Sequence, residues 1–297
     1  MDIGCPCVCK IYKPRKFDLD GLSTISVKRT GTNNLTVELA LDLHGADTIT
    51  GHITDGSWTA RIDADRAVFN ARTHIASSFT NKYTLLIPGS SNAAAEPPGD
   101  GPGAVVVDAG GGVKYSGLMA DGSPAAQKTA LSKNGAWPLY VSLYGGRGSL
   151  LGWVTFTNSA DPDLGGSVSW SKPALLAPIV YPNGFVVTPS LVGSVYRAPG
   201  TNKVLNFDQG LVAFTEGNLA SGFTNTVGLA ANGKVTNSSP NKLVLTVAPS
   251  TGQFVGSATA PGETKAIPFK GAILQKQGYG GGFFLSTNVT GRVDFGQ

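Results

Sequence analysis

Tyr115-Ser-Gly-Leu-Met-Ala-Asp-Gly-Ser123 is the stretch on which the fold class turns. A short strand carrying a glycine runs into Asp121-Gly122, a hairpin signal because a type I′ turn needs positive φ and Asp-Gly supplies it at small cost. Two other segments share the pattern, Ile49-Thr-Gly-His-Ile-Thr-Asp-Gly-Ser57 and Phe254-Val-Gly-Ser-Ala-Thr-Ala-Pro-Gly262. Each reads strand, glycine, strand, tight turn. Downstream of Tyr115–Ser123 and of Phe254–Gly262 come an aromatic strand, Trp137-Pro-Leu-Tyr-Val-Ser-Leu-Tyr144 or Gly282-Phe-Phe-Leu-Ser286, and a closing strand led by glycine, Gly152-Trp-Val-Thr-Phe156 or Gly291-Arg-Val-Asp-Phe295.

Alternation of period two recurs in Leu35–Leu43, Gly103–Asp108 and Lys242–Val247, the pattern of half-buried antiparallel strands. Forty Gly and eighteen Pro among 297 residues punctuate these runs as turns. The reading is therefore all-β: duplicated antiparallel meander units forming barrels or packed sheets. The repeat spacing is too long for a small-repeat solenoid. Expected boundaries are a flexible basic leader over 1–29, a first β unit over 30–172 and a second over 200–297. A Pro-rich linker over 173–199 would join the two units, and the low-complexity stretch 90–103 would be an exposed loop inside the first.

Charge narrows the function classes. Only 14% of residues are charged, against about a quarter in typical soluble domains. The net charge of +4 comes largely from the first 29 residues, where six Lys or Arg face three Asp. No later stretch clusters the cations that phosphate contacts require, so nucleic acid is not an expected partner. No run reaches the ~18 apolar residues of a membrane span, and no apolar segment of an export signal follows the N-terminal charges. Cys5, Cys7 and Cys9 form C-P-C-V-C, which lacks the second pair of ligands a structural zinc site needs.

Lys133-Asn-Gly-Ala-Trp-Pro-Leu-Tyr through Phe156, Ser169-Trp-Ser-Lys-Pro173 and Gly271-Ala-Ile-Leu-Gln-Lys-Gln-Gly-Tyr-Gly-Gly-Gly-Phe-Phe-Leu285, taken with the Asp-Gly-Ser turn, resemble one module. It is the C-terminal β-repeat region of large secreted multidomain proteins of Verrucomicrobia and related bacteria. The resemblance covers Leu35 to the end. It implies an extracytoplasmic β module and carries no catalytic residues across.

Chemistry has few places to reside. The three histidines, His44, His52 and His74, lie in the first quarter, and no G-x-S-x-G elbow occurs. His44 and His52 with Asp47, Asp55, Asp63 or Asp65 would make a catalytic or metal cluster if neighbouring strands bring them together. Asp161 and Asp163, in a loop rich in Asn, Asp and Gly, are the candidate Ca²⁺ ligands. Glutamates are too sparse for an obvious glycosidase pair. Trp and Tyr faces stack on sugar rings: Trp58, Trp137, Trp153 and Trp170 are candidates, as are Tyr140 and Tyr144, which share a face of an extended strand. Packing in a duplicated core is the competing role for the same rings. The glycine runs at 99–103, 110–112 and 280–282 read as turns or bulges.

Two functions follow as expectations. One is a non-enzymatic module that binds a surface, a polysaccharide or a neighbouring domain. The other is a hydrolase in which Ca²⁺ or another metal polarises a small ester or lactone.

Overall fold

The computed structural model describes residues 16–157, 162–175 and 180–297, and apart from two single turns of 3₁₀ helix the regular elements in them are strands. Among the described residues no helix is long and apolar enough to cross a membrane. Three antiparallel sheets follow one another along the chain.

The first is a four-stranded meander, β1 (Leu22–Val27), β2 (Leu35–Leu41), β3 (Thr48–Thr54) and β4 (Thr59–Asp65). Ile25, Val27, Leu35 and Val37 form its apolar face with Leu39, Ile53 and Ile62. Across the other face Glu38, His52 and Arg61 stand in register.

The second sheet contains β5 (Asn81–Ile87), β6 (Gly101–Val107), β7 (Gly112–Leu118), β8 (Pro124–Ala130), β9 (Ala136–Leu143), β10 (Gly148–Phe156), β11 (Leu164–Lys172), β12 (Phe185–Val187) and β13 (Ser190–Val195). It rolls up into a nearly closed barrel, β12 and β13 sharing one edge of β11 and β13 returning to pair with β5. Its seam lies between β8 and β9. There Gln127 bridges the gap with its side chain, Nε2 donating to Pro138 O (2.9 Å) and Oε1 accepting from Trp137 Nε1 (2.8 Å).

The second barrel holds β14 (Gln209–Glu216), β15 (Phe223–Leu229), β16 (Val235–Asn237), β17 (Val244–Val247), β18 (Gln253–Thr259), β19 (Ala266–Leu274), β20 (Tyr279–Leu285) and β21 (Thr290–Gly296). A lone bridge, Lys234 to Thr246, spans its seam between β16 and β17. In both barrels the first and last strands are neighbours: Tyr83 faces Val195, and Leu211 faces Gly296.

Eight strands enclose just enough space for side chains to fill, and here they do. Trp137, Tyr83, Tyr115, Leu85, Leu150 and Val154 occupy the first barrel. Phenylalanines dominate the second: Phe214 stacks on Phe223 with centroids 4.7 Å apart and meets Phe269 edge-on at 5.1 Å.

The two barrels pack side by side through outward faces. Leu86 of β5 and Val192 of β13 meet Ala272, Leu274 and Tyr279, Phe283 inserts into the core cluster of the first barrel, and Thr84 Oγ1 donates to Ile273 O (2.5 Å). Gly280-Gly-Gly282 lies inside β20 rather than in a turn or bulge, and this approach explains its middle residue. A Cβ on Gly281 would stand 2.4 Å from Asp100 Oδ2 and 2.6 Å from Leu86 Cδ1, so only glycine admits the neighbouring barrel.

Several expected boundaries move. Leu22–Val27 pairs with β2 and belongs to the first sheet, not to a leader. The expected first unit splits into that sheet and a barrel. The stretch 173–199 contains β12 and β13, which complete the barrel; Pro173 follows the end of β11 and Pro189 stands between β12 and β13, at ladder ends where a residue that cannot donate is tolerated. The connection between barrels runs instead over 196–208. Within 90–103, Pro97–Gly103 is buried, not exposed, because it docks on the second barrel, where Asp100 N donates to Gly282 O (3.0 Å). The Asp121-Gly122 turn is not type I′. Gly122 alone takes positive φ (88°) and its N–H bonds Met119 O, while Asp121 accepts from Ser123 N through its side chain, a type I turn closed by a glycine bulge.

Asn225 is wholly buried on β15, and neither its Oδ1 nor its Nδ2 has a hydrogen-bond partner among the described residues. An unsatisfied buried amide costs about 1–3 kcal/mol. Asn225→Leu, close in volume, is therefore expected to raise the denaturation midpoint; an unchanged or lower midpoint would show that the amide is satisfied.

Candidate functional site

With both interiors filled, functional surface lies outside. The outward residues of β9, β10 and β11 form cross-strand rows: Pro138 beside Trp153, and Tyr140 beside Leu151, which in turn faces Ser169. Tyr140, Leu151 and Trp153 are 38%, 44% and 43% exposed. Diagonal neighbours on a sheet are about 7–8 Å apart, so the tyrosine and tryptophan rings share one platform. Exposed Ser142, Thr155 and Ser167 border it with hydroxyls.

Strand alternation decides which aromatic residues reach this face. Trp137, three residues before Tyr140, points inward; it is fully buried, tilted against Tyr115 at 5.3 Å. Trp170 is buried against Phe185. Tyr144 departs from the expectation that it shares Tyr140's face. The strand ends at Leu143, Tyr144 takes φ 53°, and its ring turns to the barrel end. Its hydroxyl donates to Asp121 Oδ2 (2.7 Å) and accepts from Trp170 Nε1 (3.0 Å). Lys172 Nζ lies over the Tyr144 ring, 4.3 Å from its centroid, and 3.4 Å from Asp121 Oδ2. Burial, then the Asp121 carboxylate, pushes the Tyr144 hydroxyl far above the ordinary phenol range, which keeps it a donor. Asp121 and Lys172 are absent from the sequence-based candidates. The Asp-Gly-Ser motif reads as a turn whether or not its carboxylate is buried.

Chelate chemistry at the expected cluster finds its members dispersed. His52 Nε2 pairs with Glu38 Oε2 at 3.2 Å on the exposed face of the first sheet. His44 sits in the β2–β3 connection, its N–H bonded to Asp42, and Asp47 in the same connection pairs with Arg66. Asp55 lies at the far end of β3, paired with Arg29. At about 3.4 Å per residue the seven residues of β3 separate Asp47 from Asp55 by roughly 25 Å. The Ser57 hydroxyl, with Arg29, holds the Asp55 carboxyl well below the usual range. Asp63 pairs with Arg61, and Asp65 accepts from Asn134. Among the described residues no group of three or more His, Cys, Asp or Glu is placed to hold an ion. Asp161 and the three cysteines lie outside the described residues. Asp163 accepts from Lys276 Nζ at Oδ1 (2.6 Å) and from Val195 N at Oδ2 (2.8 Å), so it joins the two barrels.

Compared with known protein families, curated proteins and solved structures, the chain matches none. The site is therefore argued from its own geometry.

One titratable group stands apart at the junction of the barrels. Asp100 is 2% exposed; Oδ1 accepts from Gly89 N (3.0 Å) and Oδ2 is 3.5 Å from Arg292 Nη2. Burial outweighs both contacts and raises its pKa from 3.8 to about 6. A raised carboxyl pKa means that the folded state holds a proton the unfolded chain has lost. Stability from this group is present below pH about 4 and declines as pH rises through about 6. Asp100→Asn is therefore expected to gain on the parent chain, by up to about 3 kcal/mol, as pH rises across that window. A stability difference independent of pH would show that Asp100 does not titrate there.

Proposed function

We propose that the chain is a non-catalytic, extracytoplasmic binding module whose target is a neutral polysaccharide, held on the outer face of β9 and β10. The observation that carries this reading is the platform of Tyr140, Leu151 and Trp153, each 38–44% exposed on a rigid sheet. Tryptophan and tyrosine offer apolar faces to the C–H side of a pyranose ring. Fixed by the β ladder, they lose little freedom when a ligand docks. The bordering Ser142, Thr155 and Ser167 supply donors and acceptors without net charge, which suits uncharged hydroxyls better than a phosphate or sulfate. A continuous chain of sugars fits an open platform, whereas a small ligand needs enclosure.

Retention on insoluble cellulose and chitin tests the reading. Trp153→Ala and Tyr140→Ala are each expected to lower retention at least about tenfold, equivalent to about 1.4 kcal/mol, while leaving the melting midpoint nearly unchanged because both rings face solvent. Trp137→Ala is the contrasting variant, expected to destabilise the barrel by about 3–5 kcal/mol. Retention that survives both platform substitutions, or that never exceeds a matched control protein, would remove the polysaccharide assignment.

A further inference from the structure

At the end of the first barrel where β7 turns into β8 and β9 into β10, Lys172 and Asp121 face each other with side chains only 4% and 1% exposed. Val180, Tyr181 and Phe185 belong to the same apolar cluster, and Tyr181 is fastened to the second barrel, its N–H donating to Asn288 O (3.0 Å) and its hydroxyl lying 3.2 Å from Thr290 Oγ1. Stripping two opposite charges of water carries a cost that can exceed their attraction. Transfer of the ammonium proton to the carboxylate removes both charges. It also produces the two partners of an amide, a neutral amine and a neutral acid.

The remaining contacts suit that condensation. Asp121 Oδ1 accepts from Ser123 N (3.0 Å), a donor aimed at the oxygen that becomes an oxyanion when Cγ is attacked. Asp121 Oδ2 accepts from the Tyr144 hydroxyl (2.7 Å) and lies 3.4 Å from Lys172 Nζ. Tyr144 is itself steadied by Trp170 Nε1. Held this way, the two groups are kept in contact and need not meet by diffusion.

We propose that Lys172 Nζ and Asp121 Cγ become joined by an intramolecular amide bond that ties β11 to the β7–β8 turn. The amine attacks Cγ and the N–C bond forms. A proton passes from nitrogen directly to Oδ2, which lies 3.4 Å from Nζ, while the Tyr144 hydroxyl, hydrogen-bonded to Oδ2, steadies that oxygen as it departs. The Cγ–Oδ2 bond then breaks and Oδ2 leaves as water. The ammonium and carboxylate yield one neutral amide and one water, with no oxidant, cofactor or leaving group from outside. This cross-link is independent of the polysaccharide reading.

Intact mass of the full, denatured chain and a map of its proteolytic fragments test the bond. The expected result is a mass one water below that of the sequence, with a branched fragment joining the segments that contain Asp121 and Lys172. Lys172→Arg and Asp121→Ala should restore the full mass of their sequences. Tyr144→Phe, which keeps the ring and loses the hydroxyl, should slow the bond's appearance at least about tenfold. Asp-Gly sequences also lose water by closing a succinimide ring on the following nitrogen, and Asp121 precedes Gly122. A deficit that persists in Lys172→Arg therefore assigns the lost water to that ring and overturns the proposal. So does a parent chain of full mass after prolonged incubation. If the variants do not fold, the parent's fragment map decides alone: separate, unmodified fragments bearing Asp121 and Lys172 exclude the bond.

Discussion

The volume inside an eight-stranded barrel governs this molecule. Such a barrel is just wide enough for one set of inward side chains, and both of these are filled with aromatic and branched residues. Among the described residues no lumen is left for a ligand, so recognition falls to an outer face, a rim or a junction. The same constraint explains how polar groups are handled. Asp121, Lys172 and Asp100 are tolerated only at a barrel end or between barrels, where a neighbouring hydroxyl, aromatic face or backbone N–H reaches them.

Equivalent positions in the two barrels have been put to different uses. Gly152-Trp-Val-Thr-Phe156 and Gly291-Arg-Val-Asp-Phe295 align residue for residue, and in both the valine and phenylalanine point inward. The outward residues diverge. Arg292 bonds Asp294 and meets Asp100, sealing the contact between barrels, whereas Trp153 looks onto solvent in the first barrel. One scaffold position serves assembly in one copy and remains open in the other.

The strands and their turns were legible in the sequence because alternation and turn chemistry are local. Tyr115–Ser123 and its two counterparts do mark hairpins, although the first is closed by a glycine bulge rather than a type I′ turn. Local signals do not say where a sheet closes. Proline density suggested a linker, yet Phe185–Val187 and Ser190–Val195 are strands, since prolines fall wherever a ladder stops as well as between units. Alternation places Trp137 and Tyr140 on opposite faces without naming the inner one. Tyr144 was misplaced because nothing nearby signals that its strand ends one residue earlier. Asp121 and Lys172 were missed for a different reason: their meeting depends on the barrel's closure, which brings together residues far apart in the chain.

The adjacency of first and last strands has a mechanical consequence. In each barrel the start of the first strand lies beside the end of the last, as the pairs Tyr83 with Val195 and Leu211 with Gly296 record. Tension applied through the chain at those two points pulls on the same end of one ladder. Its hydrogen bonds then bear the load one after another, as teeth of a zipper do, instead of sharing it. A chain strung this way opens a barrel from its first and last strands.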